Sequence, residues 1–356
     1  MCYAPISILV KPKKGGEPYR QSVGCGKCPD CVSKVTTTWR QRLLMQCGED
    51  EKYTTVWFVT FTYANRFLPK YKYIIDHKAN YLPVPSVRDI QLFHKRLRRT
   101  IDYKGLSLRF KYFLASEYTP LNKRPHYHAV YFCYGVDRGR FRSLIKEVWK
   151  NGFTDVQVSK NIFKSSSYVA NYVSLSGVNP YSITRENSSR TDCKSVNTFR
   201  LFSQGLGKEF FQKYVIKRVK ENLKSLSISN PSVYRDLKVL LILKQNSHPQ
   251  VWRTYIESHW RDYVHHIYYL ESCYKVSAGG HSKPFLAPNI YLDNYPKLKA
   301  LRSILGQLKY FYNDDLEFSK GEDYYNAKRQ YKMELLKEKQ TTFKKKHLKT
   351  ENTHEW

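Results

Sequence analysis

The chain has 356 residues, room for one large domain with extensions or for two modest ones with a true core. Lys and Arg number 61 against 30 Asp and Glu, a formal charge of +31, which disfavours an enzyme for neutral small molecules and favours a polyanionic partner such as nucleic acid. With 30 tyrosines, 18 phenylalanines and 6 tryptophans among the cations, the composition suits unpaired bases, which stack on rings while charge tracks their backbone.

Lys11, Lys13 and Lys14 interrupt any apolar leader, and Val239 to Leu243 is too short to span a membrane, so a cytosolic chain without membrane contact is expected. The 8 cysteines then read as thiols or metal ligands rather than disulfides. Cys25, Cys28 and Cys31 form a C-x-x-C-x-x-C run, with Gly26 and Pro29 able to make the turns that let thiolates converge. Cys2 is the best fourth ligand, because bringing it to the cluster closes residues 3–24 into a loop. The spacing fits structural Zn2+, with free buried thiols or an iron–sulfur cluster as alternatives. Cys47, Cys133, Cys193 and Cys273 stand singly and read as core filling.

Val32 to Gln46 has a helical pattern, and Val56 to Tyr63 alternates as a strand with Thr60 and Thr62 on one face, Val59 and Phe61 on the other. Asp89 to Ile101 predicts an amphipathic helix capped by Asp89, whose outer face of Lys95, Arg96, Arg98 and Arg99 is either solvated or holds phosphates. Tyr112 to Glu117 and Arg124 to Phe132 read as strands joined by a turn at Thr119 to Arg124. In a strand, residues i and i+2 share a face, so His126 and His128 project side by side and can ligate one divalent cation. An ordinary hydrogen-bonded pair on a half-buried strand is the alternative. The hairpin can bring Glu117 beside them.

Further on, Arg138 to Lys150 predicts a helix ended by Asn151-Gly152, and Asp155 to Val158 a strand. Ser167 to Ser174 reads as a helix with Tyr168 and Tyr172 four apart on one face. Residues 176–200 look like a loop, Phe211, Val215, Val219 and Leu223 mark another helix, and residues 322–349 form a charged helical tail. Hairpin-linked strands imply an antiparallel sheet covered by helices, an α+β fold. Histidine pair, carboxylate and tyrosine pair together point to phosphodiester chemistry. No G-x-x-x-x-G-K-[ST] is present, since Gly205-Leu206-Gly207-Lys208-Glu209 lacks the spacing and the hydroxyl, so unwinding falls to a separate helicase.

In order along the first 210 residues or so, several of these motifs resemble the HUH endonuclease superfamily, and most of all the replication initiation proteins of gokushovirus-type single-stranded DNA phages (Microviridae). The motifs are Cys25 to Cys31, Phe58 to Tyr63, Asp89 to Arg99, the histidine strand, the tyrosine helix and Ser203-Gln204-Gly205-Leu206-Gly207. The resemblance implies a five-stranded core and a rolling-circle initiator that nicks and rejoins circular single-stranded DNA at a replication origin. It implies Tyr168 and Tyr172 as nucleophiles, Mg2+ or Mn2+ on His126, His128 and Glu117, a 3′-hydroxyl for a host polymerase, and a bacterial cytoplasm. Thr60, Thr62 and Tyr63 are then expected near DNA, with Lys95, Arg96, Arg99, Arg124, Lys160 and Lys164 meeting phosphates. Asn171 stands where the family usually has lysine and Gln204 where arginine is common; Lys160, Lys164 or Lys194 are candidate substitutes. The expected division is a cysteine-cluster segment (1–50), the nuclease domain (51–225) and a helical basic extension (226–356). A non-catalytic, zinc-stabilised packaging protein for single-stranded nucleic acid is the alternative of another class; a transposase or relaxase with one working tyrosine is the alternative enzyme.

Overall fold

The computed structural model describes residues 2–10, 17–26, 28–47, 54–75, 78–171, 181, 196–229, 231–246, 249–259, 274–276, 285–286, 288–319 and 322–352. Tyr172, Cys193, Lys194, Cys273 and most of the loop at 176–200 lie outside them. The chain forms two compact units, one of Met1–Val35, Lys217–Lys275 and Asn289–Trp356, the other of Thr36–Ile216 and Val276–Pro288.

In the first unit, β1 (Ile6–Val10) and β2 (Tyr19–Val23) form an antiparallel hairpin with Ile6 opposite Val23. Helix α1 (Pro29–Cys47) begins directly after the cysteine run. Later helices of this unit bury Leu226, Leu240, Trp252, Ile256, Ile304 and Leu308. The Trp252 indole N–H donates to Gln307 Oε1 at 2.9 Å. The charged tail is helical, as its composition predicts, over Glu322–Asn352.

The second unit is α+β. After β3 (Thr55–Thr62) come the hairpin β4 (Lys70–Ile75) and β5 (Lys78–Pro83), helix α2 (Val87–Tyr103), β6 (Arg109–Tyr118), β7 (Pro125–Tyr134), α3 (Phe141–Val148), β8 (Thr154–Val158), α4 (Ile162–Asn171) and β9 (Arg200–Phe202). Five strands form one antiparallel sheet in the order β8-β3-β7-β6-β9. The strict alternation of each strand sorts its side chains into two layers. On one side Val59, Phe61, Tyr127 and Tyr131 pack against Ile90, Phe93 and Leu97 of α2 and Phe141, Leu144 and Ile145 of α3. On the other, Val56, Phe113, Val130 and Phe132 pack against Trp39, Leu43 and Cys47 of α1 and Val169 and Ala170 of α4. Cys47 and Cys133 are buried, as expected of core-filling thiols.

The helix boundaries differ from expectation for local reasons. Ser86, not Asp89, is the cap of α2: its hydroxyl accepts from the Asp89 N–H at 3.1 Å, leaving the Asp89 carboxylate to accept from Tyr63 Oη at 2.8 Å. The stretch expected as one helix from Arg138 opens with a 3-10 turn (Val136–Arg140) and its α-helical part ends at Val148. Trp149 turns back instead, its indole donating to Thr62 O at 3.1 Å. Gly152 lies against β3 so closely that a Cβ there would sit 2.3 Å from Thr62 O, so the turn needs glycine. Among the described residues, no helix is long and apolar enough to cross a membrane.

Candidate metal centre and the tyrosine beside it

The turn between β6 and β7 sets the register that builds the site. Lys123 there has φ 52, and the Arg124 N–H donates to Thr119 Oγ1 at 2.9 Å. Glu117 consequently pairs directly with His126, and Ala115 with His128. Directly opposed side chains on one sheet face are nearest neighbours. Glu117 Oε2 lies 3.0 Å from His126 Nε2 and 3.2 Å from His128 Nε2, and the three donor atoms fall within 4.8 Å of one another.

From the other flank β3 supports the pair, with Thr62 opposite His126 and Thr60 opposite His128. Thr60 Oγ1 stands 3.2 Å from His128 Nδ1. Burial, reinforced by the charge of His126, lowers His128 to about 4, so its imidazole is neutral near pH 7. Two imidazoles and a carboxylate, converging at a partly open surface, fit a divalent cation of mixed nitrogen and oxygen preference; Mn2+ suits that set better than Mg2+, which favours oxygen alone.

Helix α4 carries Tyr168 to this cluster. Asn161 starts the helix, its Oδ1 accepting from the Lys164 N–H at 2.9 Å, and Val169 and Ala170 anchor it on the sheet. The Tyr168 ring meets His128 edge-on at 5.5 Å between centroids and Phe58 at 5.5 Å, and stays 47% exposed, which leaves room for a substrate. Lys164 is exposed one turn earlier on the same helix, and Lys160 just ahead of it.

Other expected DNA contacts lie elsewhere. Lys95, Arg96 and Arg99 are exposed on α2, whose apolar side packs on the sheet face opposite to the histidines. Tyr63 is 1% exposed, bonded to Asp89 and, at 2.9 Å, to Tyr127 Oη. Arg124 donates from Nη1 to Asn65 Oδ1 at 2.8 Å and from Nη2 to Tyr63 O, tying the β7 start to the loop after β3. Thr62 Oγ1 is spent on Phe153 O at 3.4 Å. Thr60's contact with His128 was missed in reading the sequence, although the alternation that put Thr60 on one face of its strand was there to find it.

In the first unit the β1–β2 hairpin closes the cysteine cluster, because Cys2 precedes β1 and Cys25 follows β2. The donor atoms of Cys2, Cys25, Cys28 and Cys31 lie within 4.8 Å of one another. Backbone N–H groups of Cys25, Cys28 and Tyr3 donate to the sulfurs of Cys2, Cys25 and Cys28 at 3.2, 3.3 and 3.5 Å. Burial raises Cys28, but the N–H groups of Tyr3 and Cys31 and the adjoining thiols outweigh it and bring it down to about 6. The N–H of Cys25 lowers Cys2 as well. For Cys31 the Gly26 N–H lowers the thiol, yet burial and the other three thiols push it up to about 12. Sulfurs that share protons this way readily yield them to a thiophilic cation.

Fold and site together define an α+β protein whose antiparallel sheet carries a candidate divalent-metal centre beside a tyrosine-bearing helix. Residues 56–176 match the family model of the replication-associated protein ORF2, and that segment holds Glu117, His126, His128 and Tyr168. The match is consistent with a rolling-circle replication initiator. No curated protein and no solved structure matches the chain.

Proposed function

We propose that this protein initiates rolling-circle replication by nicking and rejoining single-stranded DNA at an origin through a phosphotyrosine intermediate. The observation that carries the reading is the packing of Tyr168 against His128, inside the segment that matches the replication family. Glu117, His126 and His128 would hold Mg2+ or Mn2+. When bound, that ion supplies charge stabilisation to the phosphate oxygens. The tyrosine oxygen attacks the scissile phosphorus, the bond from phosphorus to the 3′ oxygen breaks, and the phenolic proton leaves the nucleophile as the 3′ oxygen gains one. Phenols are weak nucleophiles at pH 7, so the position of Tyr168 beside the cation site matters. Lys164, one helical turn away, supplies further positive charge to the strand. Tyr172, four residues on, is the second nucleophile that rejoins the displaced circle. A polymerase extends the freed 3′-hydroxyl behind a separate helicase, and Zn2+ on the four cysteines staples the amino-terminal hairpin.

The test is incubation of the purified protein with the circular single-stranded DNA that encodes it and Mn2+. The expected product is a covalent adduct that survives denaturation and maps to Tyr168 or Tyr172. Retention of DNA with no adduct overturns the reading in favour of a non-catalytic packaging protein.

A further inference from the structure

The row of side chains that holds His126 continues onto the edge of the sheet. The Thr62 N–H donates to Phe153 O at 3.0 Å and the Phe153 N–H to Thr62 O at 3.2 Å, a reciprocal pair that extends the β3–β8 ladder by one residue. Thr62 is opposite His126 and His126 opposite Glu117, so Phe153, Thr62, His126 and Glu117 form one row across four strands. Directly paired residues point to one face. Val156, three positions after Phe153, packs with Val59 in the other layer, as alternation requires. Phe153 therefore projects from the face that carries the metal centre, two strand spacings or about 10 Å from His126.

This row is open along its length. Thr62, His126 and Glu117 are half-buried, and Phe153 is 73% exposed. The row behind it, Asp155, Thr60, His128 and Ala115, is not. Ala115 lies in the core, Tyr168 packs on His128, and the Asp155 carboxylate, which accepts from Gln157 Nε2 at 2.7 Å, repels a phosphate. A strand leaving the metal centre toward β8 thus crosses the uncharged Thr62 and meets Phe153.

Single exposed apolar side chains are common and need no explanation. Phe153 differs in how it is held. The reciprocal bonds fix its backbone, Gly152 before it is pressed against Thr62 O, and the Trp149 indole donates to that same oxygen. A ring anchored this way loses little freedom when a base covers it.

We propose that Phe153 is the stacking platform for a base of the unpaired DNA strand whose phosphate lies at the metal centre. Its place on the substrate rests on the nicking reading, though its contribution to affinity does not. Every base has a π-face, so the platform grips the strand whatever its sequence.

The experiment is binding of a fluorescein-labelled oligothymidylate, without divalent metal, followed by anisotropy over a range of NaCl. Wild type is compared with Phe153→Ala, Phe153→Trp and, as a control, Tyr103→Ala, which removes an aromatic ring 89% exposed at the end of α2; thermal melting checks each fold. Phe153→Ala is expected to weaken binding about fivefold or more and to leave the salt slope unchanged, because no charge is altered. Phe153→Trp should keep wild-type affinity, and unlabelled oligothymidylate should quench its fluorescence by more than it quenches wild type. Wild-type affinity in Phe153→Ala, or an equal loss in Tyr103→Ala, would overturn the platform. Because no metal is present, a wild type that never nicks leaves this outcome readable: the nicking reading then fails while the platform stands or falls on its own.

Discussion

Thr60 Oγ1 lies 3.2 Å from His128 Nδ1, on the side of the ring away from Glu117. When Nε2 donates its lone pair to a cation, Nδ1 carries the proton and donates it to Thr60, which fixes both tautomer and ring orientation. Thr60→Val keeps the shape of this strand position and removes the acceptor, so it should lower Mn2+ affinity about 10–100-fold without unfolding the protein. Calorimetric Mn2+ titration reads the effect; unchanged affinity would remove Thr60 from the site.

His126→Ala should abolish nicking yet leave most single-strand affinity, because affinity comes chiefly from cations that this substitution does not touch. Chelation should do the same to wild type. A gel assay of nicking alongside anisotropy separates the two quantities, and undiminished nicking in excess chelator would rule out metal dependence.

Tyr168→Phe and Tyr172→Phe should each retain an adduct on the remaining tyrosine but lose repeated circle release, and the double variant should form none. If one single variant loses every covalent product while the other works through many rounds, one tyrosine does all the chemistry.

The cysteine cluster predicts a steric effect at a residue that is not a ligand. A Cβ at Gly24 would sit 2.9 Å from Cys31 Sγ, so Gly24→Ala must push that sulfur away. Zinc content by atomic absorption should fall, and the melting temperature with it, as for Cys28→Ser. Full zinc occupancy and wild-type melting in Gly24→Ala would argue against a four-sulfur site.

His94 is 2% exposed, bonded through Nε2 to Tyr131 Oη at 2.9 Å and stacked on Tyr112 at 3.8 Å. Burial, with the Arg98 charge adding to it, lowers it from 6.5 to about 3. The folded state therefore stays neutral while the unfolded chain takes up a proton below pH 6.5, so stability is full above that value and declines as pH falls toward 3. The slope is at most about 1.4 kcal/mol per pH unit from this group. His94→Gln should flatten the melting temperature between pH 7 and 5 relative to wild type; parallel curves would exclude His94 as the source.

The chain by itself determined what depends on local periodicity. Alternation in a strand is a property of the backbone, so His126 and His128 had to share a face, and Tyr168 had to lie on a helix whose apolar residues recur at helical spacing. The cysteine spacing implied convergence, and Cys2 was its best partner. Tertiary structure alone decided what depends on register and on which side of the sheet a helix packs. The six-residue turn at Thr119 to Arg124 settled that Glu117, rather than a neighbour, faces His126. The choice of layer for α2 sent Lys95, Arg96 and Arg99 to the face away from the metal centre, because its apolar stripe packs on Tyr127 and Tyr131, which alternate with the histidines. Phe153 carried no signal at all: it lies just before β8, far along the chain from β3, and only pairing at the sheet edge aligns it with His126. Pairing between distant segments is a sum of many weak contacts across the whole core, and no short stretch of sequence contains it.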